Sequence, residues 1–186
     1  MQKPEAPSVC PASPQHWREW LQAHHHQPGG VWLIYHKKTS PTPTLTWSEA
    51  VDEALCFGWI DSQAKPLDAD RYQQFFTRRQ PKSGWSRVNK DKVQRLLAAG
   101  KMMPTGLAAI ETAQQNGAWM LLDDVEALRL PPDLELAFNQ QPTARHHFAQ
   151  LSRTAKRNLL LGLVMAKRPA TRQQRLAAIL ALAASG

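Results

Sequence analysis

A chain of 186 residues that is 42% hydrophobic and 20% charged has the composition of an ordinary globular protein. That excludes wholesale disorder and fibrous architectures, and it allows a core burying about 70% of the unfolded surface. The longest apolar runs, at 159–166 and 176–184, are too short to span a bilayer, so no membrane insertion is expected, while a formal net charge of +8 points to anionic partners.

Residues 1–12 read as a disordered tail without the apolar centre of a secretory signal, which makes the cytoplasm the expected location. A single α+β domain is expected over 13–186, with a helix and strand part over 13–85 and a helical part over 86–186. Ser13-Pro14 opens a helix carrying Trp17, Trp20, Leu21 and His24 on one face, and Gly29-Gly30 ends it. VWLIYHKK, 31–38, is rich in β-branched and aromatic residues and reads as a buried strand. Thr46 and Glu49 form a capping box for a helix closed by Gly58. WIDSQAK then resumes extended structure, with Trp59 and Asp61 on one face and Ile60 turned toward the core. RYQQFFTR, 71–78, is the third strand, in an antiparallel hairpin with the second. The prediction is a small antiparallel sheet of about three strands with a predominantly helical remainder.

From Ser86 onward the signals are helical. Ser86 caps a helix that Gly100 stops, and Asn89, Val93, Leu96 and Leu97 share its apolar side. Pro104 to Asn116 is closed by Gly117, Pro132 starts a short helix, and 143–150 adds another. Ser152 caps a helix to about Lys167. Thr171 with Gln174 forms a capping box for the last helix, with Leu176, Ile179, Leu180 and Ala183 as its buried stripe.

Several chemistries find no support. His24, His25 and His26 fan out by about 100° per residue on a helix and cannot converge on one ion, and no HxxxH, CxxC or HExxH spacing occurs, so no metal is expected. GxGxxG, GxxxxGK[ST] and GxSxG are absent, and Cys56 lies in an apolar helix as a small core residue. No cofactor and no reaction are assigned.

Charge is unevenly placed. Residues 71–102 carry nine Lys/Arg against Asp91 alone, and 143–186 carry eight with no acid, whereas 1–70 and 103–142 are net acidic. Within the first basic block, RRQPKSGWSRVNK, 78–90, combines cations with a tryptophan, two serines and an asparagine, a mixture that packing does not require. Trp85 either stacks on a planar ligand or folds back to close the core; Asp61 either acts as a base or orients Arg79 or a backbone amide. The expected ligand-binding set is Trp59 and Trp85 as walls, Asp61 as carboxylate, Arg79, Lys82 and Lys90 for a negative group, Ser83, Ser86 and Asn89 for orientation, and Lys37 reaching in from the first strand. A small anionic ligand is the first expectation, an acidic protein partner the second, and nucleic acid the third, because the basic segments lack interleaved aromatics.

FGWIDSQ, RQPKSGWSRVNK, GKMMPTGLAAIE and AKRPATRQQR, taken in that order with VWLIYHKK and HWREWL before them, resemble successive motifs of the YdeI/OmpD-associated family, also called bacteriocin-protection proteins. The resemblance implies a link to envelope stress and to bacteriocin or cationic-peptide resistance, without an established reaction. This chain departs from the pattern at Gly84, where the family typically has Asn, at Arg78, where it has Pro, and at Ala118, where it tends to have Arg.

Overall fold

In the computed structural model of the protein, residues 6–37, 40–42 and 45–182 are described. They form two compact units, one ending at Trp119 and one beginning at Met120, so the division lies well beyond Ser86.

The first unit holds a four-stranded sheet in the order β1-β2-β4-β3, with β1 Ser8–Val9, β2 Gly30–His36, β3 Trp59–Pro66 and β4 Arg71–Arg78. The β2–β4 and β3–β4 pairs are antiparallel, as expected. The extra strand, β1, runs parallel to β2 inside the stretch expected to be a tail, and the Trp32 amide donates to the Pro7 carbonyl at 2.8 Å. Two residues of pairing leave no periodicity for a sequence to display.

Helices α1 (Pro14–His24) and α2 (Trp47–Cys56) cover one sheet face. Ser13 accepts from the His16 amide as the N-cap of α1, and Thr46 with Glu49 makes a full capping box on α2. The first helix stops at His24, short of Gly29. The Trp17 indole donates to Ala50 O at 3.1 Å and meets Phe76 edge-on at 5.5 Å, so one side chain joins both helices and the sheet. Facing them, Val31, Leu33 and Tyr35 of β2 alternate inward by period two. Pairing sets Trp59 opposite Arg78 and Asp61 opposite Phe76. Trp59 is therefore the inward residue, at 0% exposure, and Ile60 lies half-buried on the other face, opposite to expectation. Each buried large apolar side chain contributes roughly 2–3 kcal/mol.

Two further helices complete this unit: α3, Arg87–Ala98, capped by Ser86, and α4, Pro104–Gln115. Val93 and Leu96 of α3 are buried, whereas Leu97 is 45% exposed and leaves the expected stripe. Lys92 is buried too, its ammonium 2.7 Å from Asp52 and bonded to Ser48. Gly106 of α4 lies against the end of α2, where an added Cβ would come within 2.8 Å of the Cys56 carbonyl carbon.

The second unit contains α5 (Asp123–Glu126), α6 (Pro132–Gln140), α7 (Pro142–Gln150), α8 (Arg153–Val164) and α9 (Pro169–Ala181). Val125, Leu134, Phe138, Ala144, Phe148, Leu160, Leu163 and Ile179 form its core, with Leu176 and Leu180 packed beside them; Ala183 lies outside the described residues. Ser152 caps α8, but α9 starts at Pro169 with Arg168 as N-cap, so the expected box at Thr171 and Gln174 is absent. Proline at the first position already sets the helical φ there. Among the described residues three of the basic side chains are paired within the unit, Arg129 with Asp124 at 2.8 Å, and Arg157 with Glu126 and Arg172 with Asp133 at 2.7 Å each. The Arg172 guanidinium holds the Asp133 carboxyl below its usual range.

Candidate functional site

At the end of β4 the chain leaves the sheet, and the Arg79 amide donates to Gly58 O at 2.9 Å. Gly58 has a φ of +73°, which an L side chain rarely adopts, and a Cβ there would sit 3.0 Å from Thr105 O and 3.2 Å from Ala109 Cβ. The α2–β3 turn and the start of α4 therefore approach as closely as backbone allows. Beyond Arg79, the Ser83 amide and hydroxyl both donate to Gln80 O, at 2.9 and 2.8 Å, and fold 80–83 into a turn. Asn116 Nδ2 donates to Pro81 O at 2.9 Å and ties that turn to the end of α4.

Between these segments lies a cleft of about 250 Å³. Its walls include His25 and His26 just after α1, Phe57 and Gly58, Arg78 to Pro81, Trp85, and the Thr105, Ala108, Ala109 and Thr112 face of α4. Those four positions of α4 follow the i, i+3, i+4, i+7 rule for one helix face, and their small side chains leave the space open. Two arginines and two histidines line the cleft, and among the described residues no carboxylate does.

Arg79 dominates the site. Its guanidinium lies 3.7 Å over the Trp85 ring, and Nη2 donates to Gly84 O at 2.8 Å. Among the described residues it forms no ion pair, and its Nε is buried without a hydrogen-bond partner. Burial pushes the Arg79 pKa down to about 10, and the more distant charge of Asp61 offsets this in part. Thr105 Oγ1, at the start of α4, is likewise buried and unpartnered. His25 shares its Nδ1 proton with Leu21 O at 2.9 Å, which leaves Nε2 as its uncommitted ring nitrogen. The second residue of α4 is Thr105, and no side chain caps that helix, so its partial positive end stands at the cleft.

The residues singled out from sequence divide into three groups. Arg79 and Trp85 line the cleft. Trp85 is 2% exposed, with Arg79 on its ring and Trp119 tilted against it at 5.0 Å, so it is a platform for Arg79 and for the core rather than a stacking surface. Ser83, Ser86, Asn89 and Lys90 serve the loop and α3: Ser83 closes the turn, Ser86 accepts from the Asn89 amide at 3.3 Å, and the Lys90 ammonium lies 5.3 Å from the Trp119 ring centroid. Lys82 is exposed on the same turn. The others lie elsewhere. Trp59 is in the core and donates to His25 O at 3.2 Å. Asp61 accepts from Trp47 Nε1 at 3.0 Å and from Gln74 Nε2, an orienting role between neutral donors. Lys37 bonds the Asp68 and Ala69 carbonyls within the β3–β4 turn, at the other end of the sheet, roughly 20 Å from the Arg79 end at about 3.3 Å per residue.

His25, Thr105 and the small face of α4 were not foreseen. The sequence did carry one signal for them: Pro104 opens a helix with Met103 at the N-cap, where a Ser, Thr, Asp or Asn would satisfy the first amides.

Residues 9–109, more than half of the chain, match the model of a domain of unknown function, DUF8412. Residues 127–186 match the model described as Bacteriocin-protection, YdeI or OmpD-Associated. No curated protein and no solved structure matches the chain. The FGWIDSQ and RQPKSGWSRVNK motifs fall inside the first match, and AKRPATRQQR inside the second. The chain thus belongs to the DUF8412 family through its N-terminal part, and residues 127–186 carry a domain that matches the YdeI/OmpD-associated, bacteriocin-protection model.

Proposed function

We propose that the N-terminal unit binds a small anionic ligand in the cleft walled by Arg79, His25 and Thr105. The observation that carries this reading is a half-buried arginine whose Nε is sealed from solvent without a partner, on the wall of a cleft lined, among the described residues, by arginines and histidines alone among ionisable groups. A guanidinium drawn partly out of water gains from an ion-pair partner, because its desolvation is then offset. An anion arriving in the cleft supplies that partner. Asp61 and the loop serines support the wall without touching the ligand.

Thermal unfolding against a panel of small oxyanions tests this. A specific binder at about a hundredfold excess over its Kd stabilises by about 2.7 kcal/mol. Arg79→Met is expected to remove the shift, and a panel in which no anion raises the melting temperature of the native protein more than that of the variant refutes the reading.

The description of the C-terminal family extends the proposal to bacteriocin protection. A strain lacking this chain is then sensitised to bacteriocins and restored by the native protein. Restoration by Arg79→Met to the same degree would separate that phenotype from the cleft.

A further inference from the structure

We infer that the group held in the cleft is a tetrahedral oxyanion, inorganic phosphate or the phosphate of a small monoester, and not a carboxylate; this rests on the anion-binding reading above. The polar groups on the walls come from three separate elements. Arg79 follows β4, Thr105 is the second residue of α4, and His25 follows α1. A carboxylate offers two oxygens in one plane and is best matched by a single guanidinium fork. Here Nη2 of that fork is held by Gly84 O and the guanidinium is stacked on Trp85, while the unpartnered Nε and the unpartnered Thr105 hydroxyl belong to different walls. Phosphate carries oxygens in three or four directions and can meet donors on several walls at once.

Charge and size point the same way. Arg78 adds a second guanidinium to a cleft without carboxylates, and the uncapped start of α4 adds the positive end of a twelve-residue helix, a combination suited to a doubly charged group. The remaining wall, Phe57, Ala108 and Ala109, is apolar and borders a volume of about 250 Å³. That is below the roughly 300–1,000 Å³ of pockets for drug-sized ligands, so the ester group is short.

The test uses the full chain and ¹⁵N NMR of the arginine Nε–H groups, with inorganic phosphate, methyl phosphate and acetate titrated separately at constant ionic strength. The Arg79 signal is the one missing from Arg79→Lys. Phosphate and methyl phosphate are expected to shift it saturably, with Kd values at least about tenfold below that of acetate, the factor for one charge-assisted hydrogen bond of about 1.4 kcal/mol. Thr105→Val weakens phosphate by about the same factor, and Thr105→Ser, which keeps the hydroxyl, restores it. Acetate binding as tightly as phosphate overturns the tetrahedral assignment and leaves the anion cleft standing. An Arg79 signal that none of the three moves saturably overturns both.

Discussion

Thr105→Val separates the stability of the cleft from its binding, because the two should change in opposite directions. In the unliganded protein Thr105 Oγ1 is sealed from solvent and has no partner. A desolvated hydroxyl in that state costs about 1–3 kcal/mol, and valine replaces it with a methyl of the same shape. Both residues are β-branched and close in helix propensity, so the start of α4 loses little. The expected result is a gain of about 1 kcal/mol, or a rise of about 2–4 °C in melting temperature for a chain of this size. All seven tryptophans lie between Trp17 and Trp119, so tryptophan fluorescence reports the unfolding of the N-terminal unit alone. Urea titrations in a buffer without oxyanions give the first comparison. Adding phosphate at about a hundred times the native Kd stabilises the native protein by about 2.7 kcal/mol, and a variant binding about tenfold more weakly by only about 1.4 kcal/mol. The intrinsic gain is then cancelled, and the two curves converge. A Thr105→Val protein that loses more than about 1 kcal/mol without phosphate refutes the reasoning, because the hydroxyl would then have a partner in the folded state.

Gly106→Ala should destabilise despite a helix-propensity gain of about 1 kcal/mol, since the new Cβ would overlap the backbone of Cys56 and Leu55; a loss of roughly 2–4 kcal/mol in the same urea assay is expected, and a stabilised variant contradicts it. Arg79→Met exchanges a half-buried cation without an ion pair for an apolar chain that still covers Trp85, so stability should stay within about 1 kcal/mol while anion binding is lost. In the C-terminal unit, the Asp133 pKa is depressed by Arg172, so its contribution is present above the ordinary carboxylate value of 3.8 and is lost as pH falls through the folded value. Carboxyl NMR titration should place Asp133 below its ordinary value in the native protein and return it upward in Arg172→Gln, with at most about 1 kcal/mol lost at neutral pH for a partly exposed pair.

Much of the fold was legible because its determinants are local. The Thr46–Glu49 capping box, the Ser86 and Ser152 caps and the proline starts at 14, 104 and 132 each satisfy or remove orphan amides within a few residues, and each marks an observed helix start. What failed depended on distant partners. The pairing of β1 is set by β2, some twenty residues away, and the facing of Ile60 and Trp59 by the helices that cover one side of the sheet. Period two shows that Trp59 and Ile60 oppose each other, and only the packing of Trp20 against Trp59 decides which of them is inside.

The loop motif was recognised for its tryptophan and cations, and the structure reassigns what the tryptophan is for. A ligand cannot stack on Trp85 when Arg79 occupies the ring and Trp119 closes it from another side. The aromatics act on the arginine instead. A free arginine side chain carries about 2 kcal/mol of rotamer entropy that binding would have to remove. Stacking on Trp85 and the bond to Gly84 O fix Arg79 during folding, so an arriving anion meets a cation already oriented. That bond uses a main-chain carbonyl, so it does not depend on the side chain at 84, where the YdeI/OmpD-associated motif that the loop resembles has asparagine, while Arg78 adds charge to the same wall. The departures at 78 and 84 therefore leave in place the donors that the proposed site uses, Arg79 and Thr105 of α4. Gly84→Asn is then expected to leave phosphate affinity within about twofold, whereas Trp85→Leu, which removes the platform, should weaken it by tenfold or more at about 1.4 kcal/mol per decade. Equal loss in both variants would mean that the loop backbone, and not the stacked arginine, sets the affinity.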